Sequence, residues 1–106
     1  MDVGVVMAFQ SSHNQPLSDL EIYQKEVAIA ELAEPLGFNS IWGVEHHFTN
    51  YTMCPNPLQF LTYMAGKTKT IKLGTAALIL PWHKDPLRIA TDIAMLDNLS
   101  NGRVIV

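Results

Sequence analysis

The stretch "SIWGVEHHFTNYTMCPNP", Ser40 to Pro57, decides the reading of this chain. An apolar run ends abruptly in Glu45-His46-His47, and about a dozen mostly polar and small residues follow. The run is continuous rather than alternating, which suits a strand buried on both faces, as in parallel sheets. Asn56-Pro57 then reads as an N-cap followed by an N1 proline, opening a helix through Ala65. An acid and two imidazoles thus stand between a strand and a helix, in a connection longer than the usual 2–6 or so residues.

Similar apolar runs occur at Val3 to Ala8, Ile71 to Leu80 and Val104 to Val106. Ser18-Asp19-Leu20-Glu21 is a capping box that opens a first helix, with Gly37 as its stop. Asp85-Pro86 opens another helix through Leu99, and Asn101-Gly102 turns the chain into the last strand. The predicted order is β-α-β-α-β-α-β, the pattern of parallel strands joined by right-handed crossovers. A doubly wound nucleotide-binding domain usually has a glycine-rich turn after its first strand, whereas "AFQSSHNQPLSD" has no glycine there. The remaining architecture is a (β/α)8 barrel, whose chemistry sits at the C-terminal strand ends. Four strands do not close a barrel. The chain also stops inside the apolar "GRVIV", so the sequence predicts the N-terminal portion of a longer TIM barrel, residues 1–106 being a fragment of one domain.

Composition narrows the function. The chain has 106 residues, is 48% hydrophobic and carries a formal charge of −3. There is no basic run, so neither nucleic acid nor an acidic membrane surface is an expected partner. No apolar run approaches the roughly 20 residues of a membrane helix. The single cysteine, Cys54, excludes an internal disulfide and fits a reducing, cytoplasmic setting.

If strand pairing continues through Glu45 and His46, alternation sets Trp42, Val44 and His46 on one side and Glu45 and His47 on the other. Adjacent histidines then diverge, and no HExxH helix or second ligand cluster is present, so no metal is expected. One of the two histidines can be a hydrogen-bonded core group. Their place at the barrel's chemical end favours a functional role. In Leu73-Gly74-Thr75-Ala76-Ala77, small residues at a strand end suit close approach of a flat ligand or a crowded barrel interior, and both readings stay open. His83 reads as a loop residue, His13 as a solvated residue of the first strand–helix loop, and Cys54 as a small loop residue.

Taken together, "LGFNSIWGVEHHF", the "NP" opening the second helix, "IKLGTAALILP" and "DPLRIATDIAMLDNLSNGR" resemble the bacterial luciferase-like monooxygenase family. The resemblance covers almost the whole chain, and "EHHF" after "GF-x-S-x-W" is its most specific part. It implies a (β/α)8 barrel that binds flavin mononucleotide (FMN) and uses the reduced flavin with molecular oxygen to oxidise a small organic substrate. It also implies a separate flavin reductase as partner and a homo-oligomer or heterodimer. Carried over by position, His46 is the candidate catalytic base and His47 supports it. Ala76 and Ala77 match a pair beside the flavin ring that a non-proline cis peptide often joins. The resemblance sets the flavin-phosphate contacts beyond Val106. Two alternatives share the fold: a deazaflavin-dependent dehydrogenase and a non-catalytic flavin-binding relative. The family often has glutamate where Asp92 stands. "PWHKDP" differs from the luciferases themselves, so light emission and an aldehyde substrate are not implied.

Overall fold

A computed structural model describes residues 1–11, 17–49 and 51–106. His13 lies outside the described residues. Four strands, β1 (Gly4–Met7), β2 (Ser40–Gly43), β3 (Lys72–Thr75) and β4 (Val104–Ile105), form one sheet in the order β1-β2-β3-β4. All three pairings are parallel, with Val6 opposite Trp42 and Trp42 opposite Gly74. Sequential order without a reversal distinguishes this α/β sheet from a doubly wound one and matches the way a (β/α)8 barrel is built.

Helices α1 (Asp19–Ala33), α2 (Pro57–Lys67), α3 (Leu80–His83) and α4 (Pro86–Leu99) fill the connections. The caps form as the sequence predicts. Ser18 Oγ accepts the Glu21 N–H at 3.3 Å, and the Glu21 carboxylate accepts the Ser18 N–H at 2.8 Å. Asn56 caps α2 through the Gln59 N–H, and Asp85 caps α4 through Leu87 and Arg88. Each such cap contributes about 1 kcal/mol to its helix.

Three boundaries differ from the sequence reading. Helix α1 ends at Ala33, because Pro35 has no N–H to donate, and a turn carries the chain on to Gly37 at φ 85°. Helix α2 runs past Ala65 to Lys67, where the Thr68 N–H returns to the Met64 carbonyl. The apolar run from Ile71 to Leu80 is not one strand. Pairing stops at Thr75, Ala76 and Ala77 are joined by a cis peptide, and the single-turn α3 follows.

The core lies between the sheet and the helices. Met7, Ile41 and Leu73 meet Ile22 and Ala30 of α1 and Leu58, Leu61 and Met64 of α2. Fully burying each large apolar side chain stabilises the fold by roughly 1.5–3 kcal/mol. Strand alternation puts Trp42 on the other face, between two glycines. A Cβ on Gly74 would lie 2.4 Å from the Trp42 ring, and one on Gly4 would lie 2.6 Å from its Nε1. Gly74 is therefore small because Trp42 crowds it, which decides that position in favour of the crowded-interior reading.

Two polar pins, the buried Arg103 and the half-buried Glu34, close the edge away from the strand ends. Arg103 donates to the carbonyls of Ser100, Ile71 and Ala65 and to Thr68 Oγ1, joining α2, β3 and α4. The Glu34 carboxylate accepts the N–H groups of Lys69, Thr70 and Ile71, fixing the turn that enters β3. Among the described residues no helix is long and apolar enough to cross a membrane.

Candidate functional site

Where β2 and β3 end, the chain brings the two sequence motifs together. The Ala76 N–H donates to the Gly43 carbonyl at 2.8 Å, extending the parallel ladder by one bond beyond Thr75. Ala76 and Ala77 therefore stand beside the start of Val44-Glu45-His46-His47. Both alanines are exposed. The loop after His47 folds back over the same edge. The His46 N–H donates to the Cys54 carbonyl at 2.9 Å, and the Met53 N–H donates to the Phe9 carbonyl at 3.1 Å, just past β1. The Tyr23 hydroxyl of α1 donates to the Met53 carbonyl, so a helix holds the loop from behind.

Strand pairing stops at Gly43, before the acid and the histidines, so no strand ladder runs through Glu45 and His46. The side chains nevertheless separate as alternation predicts. Glu45 and His47 lie together, with Glu45 Oε1 2.7 Å from His47 Nε2. His46 is exposed, and its ring makes only an edge contact with Tyr51, centroids 6.3 Å apart. Its imidazole has no hydrogen-bond partner among the described residues. Tyr51 itself is exposed, so this part of the edge is open to solvent.

Glu45 organises the rest. Its side chain has no solvent exposure. Oε2 accepts the Ile79 N–H at 2.7 Å, and His83 Nε2 lies 3.1 Å from the same oxygen. Burial by itself pushes the Glu45 carboxyl up. The hydrogen bonds from Ile79, His47 and His83, with the nearby charge of His83, outweigh it and hold the group below the ordinary carboxylate range. The His47 ring is stacked on Trp82 of α3, centroids 4.0 Å apart and planes 24° off parallel. Phe48 meets the same indole edge-on at 5.7 Å.

His83 is the residue that reading the sequence missed. It sits on α3 rather than in a plain loop, and it reaches an acid 38 positions earlier in the chain. The turn between Ala77 and Asp85, which carries Pro81, Trp82 and His83 back toward the strand ends, shows only in the fold. Cys54 is buried, and burial pushes its thiol up to about 11, so it is an inert packing group. Asp92 pairs with Arg88 on the surface of α4. No group of three or more His, Cys, Asp or Glu placed to hold a metal ion occurs among the described residues. A groove of about 690 Å³ lies between α1 and α2, lined in part by Tyr23, Phe60 and Tyr63. None of His46, His47, Ala76 or Ala77 lines it, so it is separate from the histidine edge.

Comparison with known proteins agrees with the fold. The chain is 36% identical over 97 residues to the oxygenase component of a flavin-dependent trigonelline monooxygenase of Acinetobacter baylyi, covering 87% of this chain and 26% of that protein. It is 37% identical over 86 residues to an alkanal monooxygenase alpha chain of Photorhabdus laumondii, covering 81% of this chain and 24% of that one. The chain thus spans about a quarter of the length of these curated relatives. Among solved structures, a monooxygenase from Streptomyces bottropensis superposes with a TM-score of 0.87 at 34% identity, over 100% of this chain and 32% of that one. The oxygenating constituent of 3,6-diketocamphane monooxygenase from Pseudomonas putida, in complex with FMN, superposes with a TM-score of 0.86 at 26% identity, over 100% of this chain and 28% of that one. The parallel α/β order agrees with a luciferase-like monooxygenase family model that matches residues 1–106, and the chain belongs to that family.

Proposed function

We propose that these residues form the N-terminal portion of a (β/α)8 flavin-dependent monooxygenase that oxidises a small organic substrate with reduced FMN and molecular oxygen. The observation that carries this reading is the meeting of two motifs at one strand edge: Ala76 bonded to Gly43, with His46 three residues further along. The flavin ring fits what stands there. Ala76 and Ala77 carry only methyl groups and are exposed, so a flat ring can approach their backbone. The Glu45 carboxylate behind them is buried and hydrogen-bonded, so it does not occupy the exposed surface where the ring would lie.

When bound, reduced flavin supplies the electrons that activate oxygen toward the substrate. The chain's own residues do the rest. His46 moves a proton at an imidazole nitrogen, and its exposed ring with no protein hydrogen bond is available for that task. His47 supports it from the buried side, held by Glu45 and Trp82. The loop tied back through Cys54 and Phe9 holds the backbone at His46 in place beside the strand ends. A separate reductase would supply the reduced flavin, a reading supported by the oxygenase-component name of one relative. The full-length protein is expected to be a homo-oligomer or heterodimer in a cytoplasmic setting.

The test is oxygen uptake by the full-length protein supplied with chemically reduced FMN and candidate organic substrates. Substrate-dependent uptake with hydroxylated or ring-expanded product is expected. Hydride transfer to a deazaflavin with no oxygen uptake would replace this reading with a dehydrogenase. Tight FMN retention without turnover would replace it with a binding protein.

A further inference from the structure

We propose that Glu45 is a positioning residue, a buried carboxylate that fixes His47 and His83 together as Nε2–H donors and makes His83 a further member of the site. The inference deepens the reading above, since it concerns the same strand edge. It does not depend on flavin for its test.

The geometry is specific. Both rings meet the carboxylate through Nε2, His47 at 2.7 Å from Oε1 and His83 across both oxygens, 3.0 Å from Oε1 and 3.1 Å from Oε2. The Ile79 N–H is a fixed donor to Oε2 at 2.7 Å. An ionised carboxylate only accepts hydrogen bonds, so each ring has to bring its own proton at Nε2. A neutral ring then keeps Nδ1 as an acceptor. Neither histidine is free to choose its tautomer while Glu45 is charged. Buried and enclosed by these donors, Glu45 acts through them and has no exposed atom with which to touch a ligand.

The partners come from two separate segments. Glu45 and His47 follow β2, whereas Ile79 and His83 follow β3. The carboxylate therefore anchors the segment that carries α3 onto the edge where His46 stands. It also sets Trp82 against the His47 ring, so that ring is fixed both by a hydrogen bond and by stacking.

The experiment is long-range 1H–15N correlation of histidine-labelled full-length protein at about pH 8, where an ordinary imidazole is neutral. His47→Gln and His83→Gln variants assign the two rings. Both are expected to be Nε2–H in the wild type, and either ring found as Nδ1–H overturns the proposal. Glu45→Gln gives the second reading. A glutamine amide offers one accepting oxygen and one donating nitrogen, so two ring donors and the Ile79 N–H cannot all be satisfied. The fixed Ile79 N–H draws the amide oxygen to the Oε2 position, which turns the amide NH2 toward His47, and that ring is expected to change to Nδ1–H. Two rings still at Nε2–H in a folded variant would overturn the proposal. If the variant does not fold, the wild-type tautomers decide alone. Wild-type tautomers as proposed, in a protein without flavin turnover, would keep the Glu45 assignment and reject the flavin reading.

Discussion

The Ala76 N–H donates to the Gly43 carbonyl at 2.8 Å, and that single bond sets the alanine pair beside the acid–histidine segment. The two motifs are more than thirty residues apart in the chain, yet the parallel register brings them to one edge. The proposed site rests on this juxtaposition.

Gly74→Ala tests the packing that supports that edge. The added methyl would meet the rigid Trp42 ring at 2.4 Å, too close to be absorbed by a flexible side chain. Overpacking of this kind costs about 1–3 kcal/mol. Urea unfolding should show a lowered midpoint with an unchanged slope. A midpoint equal to wild type would mean that Trp42 is free to move.

Glu34 predicts a pH dependence. Burial raises its carboxyl, but donation from the Thr70, Ile71 and Lys69 N–H groups and from the Thr70 hydroxyl outweighs burial and lowers it to about 2. A depressed folded pKa contributes stability that is fully present above the ordinary value of 4.5 and is lost as pH falls toward about 2. Wild type should be more stable than Glu34→Gln at pH 6, and the gap should narrow steadily between pH 4.5 and 2. Denaturant midpoints across that range check it. A gap that is constant with pH would contradict the assignment.

Cys54 should resist modification. The thiol is buried and pushed up to about 11, so little thiolate exists at neutral pH. A thiol-exchange reagent at pH 7 should react with the folded protein far more slowly than with the urea-unfolded chain. Equal rates would show that the loop over Cys54 opens readily.

Much of this layout was legible in the sequence, and the part that was not has a physical cause. Strands and caps are local. A continuous apolar run, Ser18 three residues before Glu21, and proline after Asn56 or Asp85 each act within a few residues. The separation of Glu45 and His47 from His46 was also legible, although strand pairing ends before them. The fate of Ile71 to Leu80 was not, because an apolar run looks the same whether its later half pairs, turns or forms one helical turn. His83 was out of reach for another reason. Its meaning comes from Glu45, 38 positions away, and only the fold supplies that contact. Gly74 is similar, since its size answers to Trp42 on the neighbouring strand.

The most direct measurement is steady-state oxygen-dependent turnover of His46→Ala in the full-length protein, with reduced FMN saturating. His46 is exposed and has no side-chain hydrogen bond among the described residues, so the variant should melt and bind FMN as the wild type does. Turnover should fall by roughly 10²–10⁴, the usual loss for a general acid–base group. His47→Ala should lose less turnover, or lose it together with stability through the Glu45 network. A folded, flavin-bound His46→Ala protein turning over at the wild-type rate would contradict the account at its centre.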